Sequence, residues 1–150
     1  TVATLSARAS SVDASVGVTT LASKNVLVVM IGTNDLSGAP TAETFLSNLK
    51  AYTAARIAAG WRVVVCSVPA SSSSTINAKR ATVHAEYANA ANIGVYWHAF
   101  AAWHTDATVG VDAAGSNATY YPDGTHPSNA AHALIEPYIT STINTLLASL

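Results

Sequence analysis

"NVLVVMIGTNDL", residues 25–36, decides the fold. Val26 to Ile31 contains no polar side chain, and the run stops at Gly32. A short apolar run rich in valine and closed by glycine predicts a strand buried on both faces. "WRVVVCSVP", residues 61–69, has the same character and closes on Pro69. "IGVYWHAF", residues 93–100, predicts a third, shorter strand.

The segments between these runs have a helical period. A helix is predicted from about Thr41, with Glu43 in its first turn, Gly60 as its stop, and Phe45, Leu49 and Tyr52 on its buried side. Another is predicted over about residues 75–92, burying Ile76, Val83 and Tyr87. Upstream, Val2, Leu5, Ala9, Val12 and Val16 step by three and four, and Gly17 closes that helix. The last helix runs from about Ser128 towards Leu150, with a kink or break expected at Pro137. Helices alternating with buried strands predict an α/β domain with a parallel sheet. Neither an internal repeat nor an interdomain linker is visible.

Composition excludes several classes. Half the residues are apolar and 10% are charged, which is the composition of a folded domain. The net charge is -1 and the basic residues are scattered, so the chain has no nucleic-acid footprint. No apolar run is long enough to span a bilayer. Cys66 is alone and reads as a small buried hydrophobe.

In open α/β sheets, ligands sit beyond the carboxyl ends of the strands. At the first such end, Gly32 lets the backbone turn or approach a ligand closely. Asn34 offers an amide with two donors, suited either to an oxyanion or to an Asx-turn closing the strand. A second candidate is "YYPDGTHPSNAAH", residues 120–132. Asp123 can meet one ring nitrogen of His126 if the loop folds back, and Gly124 gives it that freedom. Pro127 keeps His126 out of helical geometry at the entrance to the last helix. A histidine so partnered is equipped as a general base; the alternative is an ordinary turn before a helix.

Taken together, "GTND" at a strand end and "DGTHPS" about ninety residues later resemble the third and fifth sequence blocks of the SGNH (GDSL-type) hydrolase family. The strand–helix order between them extends the resemblance to most of the chain. It implies a three-layer, flavodoxin-like α/β/α fold. It also implies a carboxylic ester hydrolase of esterase or lipase type, working through an acyl-enzyme. Asn34 matches an oxyanion donor, Gly32 shapes the strand end, and Asp123 and His126 match two members of a Ser-His-Asp triad. No cofactor or metal is implied. The substrate is a small-molecule, carbohydrate or lipid ester.

The family's Gly-Asp-Ser block and its oxyanion glycine block have no counterpart here. The expectation is therefore an SGNH domain over residues 1–150 that is incomplete at its N-terminus. Two strands and the nucleophilic serine would lie on a missing N-terminal segment or a second chain, and these residues alone would be inactive. The family sheet order 2-1-3-4-5 would leave the strand at residues 26–31 without one neighbour, an edge that should be paired by another polypeptide. The alternative is a catalytically inactive SGNH-like binding or structural module.

Other candidates carry less. His98, His104, Asp106 and Asp112 lie close in sequence but show no ligand spacing for a metal. Trp97, Trp103, Tyr120 and Tyr121 suit an acyl pocket or a core equally. His84 and His132 fall on predicted helices, as surface or satisfied core residues, and Asp35 reads as a turn or cap acid. Ser71 to Ser74 is a polar loop without a nucleophile elbow. Asn117 fits a glycosylation acceptor in a eukaryotic secreted protein. Localisation stays open, with a leaning towards the extracytoplasmic side.

Overall fold

The computed structural model describes residues 1–16, 25–38 and 40–150, with only the backbone at positions 15 and 16. The expectations for the Val16 side chain and for Gly17 fall outside these. The elements are α1 (Val2–Val16), β1 (Val26–Val29), α2 (Thr33–Leu36), α3 (Ala42–Ala58), β2 (Arg62–Cys66), α4 (Ser74–Ala88), β3 (Ala99–Ala101) and α5 (Asn129–Ala148). A short 3-10 helix covers Asp112–Ser116.

The three strands form one parallel sheet in the order β1-β2-β3. Successive side chains of a strand point to opposite faces, and β2 shows what each face meets. Val63 and Val65 pack with Phe45 and Leu49 of α3, Val83 and Tyr87 of α4, and Val2 and Ala9 of α1. Val64 and Cys66 pack with Ala131, Ile135 and Leu146 of α5. The sheet is thus sandwiched between helices, as the resemblance implies. Cys66 is fully buried, and burial pushes its thiol up to about 12, so it is no nucleophile.

Three expectations need correction. β1 is not buried on both faces: Val26 and Leu27 are half-buried and Val28 is 39% exposed. Within the described residues β1 pairs only with β2, and that edge position explains the exposure. The third strand, Ala99–Ala101, overlaps only the end of residues 93–100, because Ile93 to Trp97 is spent on a turn around Gly94, whose φ is 84°. Of the kink or break expected at Pro137, the break does not occur: α5 continues through it as one helix. The carbonyl that Pro137 leaves without a donor belongs to Ala133; both residues are exposed, so water can serve it. The aromatic question resolves towards the core: Trp97 and Trp103 are fully buried, Tyr121 is 1% exposed, and Tyr120 packs beside them.

α4 carries two buried polar side chains, Arg80 and His84. Arg80 is 2% exposed, donating to the carbonyls of Val68 and Gly110 and pairing with Asp112. His84 accepts the Val68 amide proton on Nε2 at 3.0 Å, while His132 is exposed. Burial, with the positive charge of His104 and Arg80 secondary, pushes His84 down to about 3 from 6.5. The native state therefore refuses a proton that the unfolded chain accepts. His84 costs nothing above pH 6.5, and its penalty grows as pH falls from there towards 3, by roughly 1 kcal/mol per unit. His84→Gln keeps an acceptor but cannot titrate. Urea unfolding at pH 7, 5.5 and 4.5 should show a shallower loss of stability for this variant. Equal slopes would contradict the assignment.

Candidate active site

The Asp123–His126 loop is built by local rules. Tyr121 is anchored in the core, its hydroxyl donating to the Val109 carbonyl at 2.6 Å. Its carbonyl accepts the Gly124 amide at 2.9 Å, closing a turn with Pro122 at the second position and Asp123 at the third. Gly124 has φ 73°, and a Cβ there would lie 2.3 Å from Ser72 Oγ, so only glycine fits. At the far end, Ser128 caps α5 by accepting the Ala131 amide and donates its own proton to the Thr119 carbonyl. Pro127 holds His126 just outside the helix.

The turn places the Asp123 carboxylate beneath the next two residues. Oδ1 accepts the amides of Thr125 and His126 at 2.9 and 2.7 Å, and Oδ2 lies 2.7 Å from His126 Nδ1. The His126 amide first, then its ring and the Thr125 amide, hold the carboxyl down at about 2. An ionised carboxylate only accepts, so Nδ1 carries the proton. Nε2 makes no hydrogen bond among the described residues. The side chains of His126 and Asp123 are 70% and 56% exposed, which makes this a solvent-facing pair.

Asn34 sits on α2, the single turn that follows Gly32. Gly32 has φ 128°, and a Cβ there would lie 2.8 Å from Val68 Cγ2 and 3.2 Å from Phe45 Cζ. The turn therefore needs glycine both for its conformation and for its closeness to the core. Leu36 is fully buried and fastens α2 from below, leaving Asn34 exposed. The Asn34 amide makes no hydrogen bond among the described residues, so the Asx-turn reading does not hold. Asp35 is indeed a cap acid: its Oδ1 accepts the Val2 amide at the start of α1 at 3.1 Å.

Gly32, Asn34 and His126 line one cavity, together with Met30, Ile31 and Pro127. Three of the four predicted site residues thus line one cavity, and the fourth, Asp123, bonds to His126. The metal candidates do not converge: no group of three or more His, Cys, Asp or Glu among the described residues could hold an ion. His98 contacts Arg62 and the Val63 amide, His104 faces Ser67, Asp106 closes its own turn and Asp112 pairs with Arg80.

Sequence reasoning missed the support beneath the loop. Ser71 is buried and donates to the Gly124 carbonyl at 3.2 Å, and the Ser72 amide donates to the same oxygen at 2.7 Å. Gly115 packs so tightly on Ser71 that a Cβ would fall 2.2 Å from its carbonyl carbon. The serine tract is therefore a brace for the histidine loop, and no local pattern announces it. A family model described as the GDSL-like Lipase/Acylhydrolase family matches residues 3–134. Comparison with curated proteins and with solved structures found no match.

Proposed function

Because this chain belongs to the GDSL-like lipase/acylhydrolase family, we propose that it carries most of the machinery of a carboxylic ester hydrolase. His126 is the general base, Asp123 its orienter and Asn34 an oxyanion donor, with Gly32 shaping the turn. One observation carries the reading: Asn34 and His126, the latter's ring fixed by Asp123 through Nδ1, line the same cavity.

The chemistry follows from that arrangement. Nε2 takes the proton of a serine hydroxyl as its Oγ bonds to the ester carbonyl carbon. The carbonyl oxygen gains the negative charge and receives an N–H from Asn34. His126 then returns the proton to the departing alkoxide. Water, activated by the same ring, cleaves the acyl-enzyme. No step needs a metal or cofactor.

The serine is proposed to come from outside residues 1–150, on an N-terminal segment or a second chain. Two observations support this. Of the serines beside the loop, Ser71 and Ser128 are used in its framework as brace and cap, and Ser72, which lies against Gly124, is not among the residues lining the cavity. And among the described residues β1 has a free edge in the sheet, of the kind a further strand would cover. Ser15 and Ser23 have side chains outside the described residues. A fluorophosphonate probe, followed by peptide mapping, tests the assignment. In the intact gene product one serine beyond these residues should be labelled; residues 1–150 alone should take up no label and hydrolyse almost no ester. A labelled serine within residues 1–150 would relocate the nucleophile, and no labelling at all would end the reading.

A further inference from the structure

α2 is a single helical turn, and a single turn does not hold itself. Nucleating one fixes several residues for one hydrogen bond. α2 makes two: Leu36 N–H to the Gly32 carbonyl at 2.8 Å and Ser37 N–H to the Thr33 carbonyl at 3.0 Å. Its last carbonyls, like those of any helix end, need donors from elsewhere.

The Ser37 hydroxyl serves the Asn34 carbonyl at 2.9 Å, and the Leu36 carbonyl is served from α4. The ammonium of Lys79 lies 2.9 Å from the Leu36 carbonyl oxygen, 2.9 Å from that of Gly38 and 3.0 Å from that of Pro40. An ammonium has three protons, and all three are placed. Lys79 is half-buried, and no carboxylate pairs with it among the described residues. A long flexible side chain committed to three carbonyls of one five-residue stretch is not a solvated surface lysine. Those carbonyls belong to the end of α2 and the loop leading to α3, and Asn34 lies two residues before the first of them. The Asn34 side chain itself makes no hydrogen bond among the described residues, so its direction follows from the backbone that Gly32, Leu36 and Lys79 hold.

We propose that Lys79 is a positioning residue for ester hydrolysis: its ammonium, seated on the carbonyls of Leu36, Gly38 and Pro40, sets the direction in which Asn34 presents its amide to the cavity. The proposal rests on the reading of Asn34 as an oxyanion donor. A cation is required because a neutral side chain offers neither three donors nor the charge that strengthens each bond. Arginine is a poor replacement, since its planar fork does not match three carbonyls grouped around a point.

The test uses the intact hydrolase. Lys79→Met should lower kcat about 10- to 100-fold with KM nearly unchanged, because a displaced donor is lost mainly in the transition state. Deuterium exchange at the Leu36 and Ser37 amides should accelerate while that of α4 does not. In Lys79→Ala, n-propylammonium replaces the missing atoms and should restore part of kcat. Tetramethylammonium, which has no N–H, should not. Asn34→Ala is measured alongside to separate the two ideas. If Asn34→Ala loses activity while Lys79→Met keeps its kcat, the positioning role is overturned and the oxyanion reading stands. If Asn34→Ala is fully active, the oxyanion reading falls and takes the proposal with it. If Lys79→Met merely lowers the urea midpoint, with no change in kcat and no rescue by propylammonium, Lys79 is structural only.

Discussion

His126→Ala should lower kcat of the intact hydrolase by about 10⁴- to 10⁶-fold while leaving its folding unchanged. The size follows from the role. Without the imidazole a serine hydroxyl has no acceptor for its proton, and a triad that acts as a unit loses most of its effect when the base is removed. The absence of a stability effect follows from the structure, because the ring is mostly exposed and among the described residues its hydrogen bonds run only to Asp123 three residues away. Asp123→Asn should cost less than His126→Ala, but through a different route. The carboxylate is held ionised down to about pH 2, so it fixes the proton on Nδ1 throughout the working range. An amide can present its NH2 to that nitrogen and favour the wrong tautomer. Steady-state kinetics of both variants on an activated aryl ester, with urea unfolding as the control, checks the pair. A His126→Ala enzyme within tenfold of wild type would remove His126 from the mechanism.

The histidine loop was legible because its geometry is local. Proline, aspartate, glycine and histidine within five residues determine a turn, a carboxylate under two amides and a ring at a helix entrance, and the structure contains each of these. β2 was legible for the same kind of reason, since its valine run is bracketed by Gly60 and Pro69. β3 was not: the Trp97 indole donates to the Tyr87 carbonyl, a contact no strand pattern foretells, and the chain there coils before it extends. α2 was missed because a four-residue helix has no period to read. Its stability comes from Leu36 in the core and from Lys79, some forty residues away. The brace from Ser71 and Ser72 to Gly124 spans about fifty residues and left no trace in either segment. What the sequence displays is thus the groups that would act; what it hides is the set of distant contacts that hold them still.

That distinction shapes the second large effect. Asn34→Ala should reduce kcat by about 10²- to 10³-fold, the usual cost of removing one donor to a developing oxyanion, with KM nearly unchanged. The ground-state ester oxygen carries little charge, so the amide contributes mainly once the tetrahedral intermediate forms. The side chain is exposed and unbonded among the described residues, so its truncation should not move the urea midpoint. Asn34→Asp sharpens the test, since it keeps the shape, exchanges two donors for acceptors and places a negative charge against the oxyanion. It should therefore fall below Asn34→Ala, and if it retains more activity than the alanine variant, Asn34 is not donating to the reacting carbonyl. Gly32 makes the positioning of this donor unusually strict. Its φ of 128° and the 2.8 Å approach to Val68 leave α2 no other direction in which to start, so the amide can be lost without disturbing the turn that carries it.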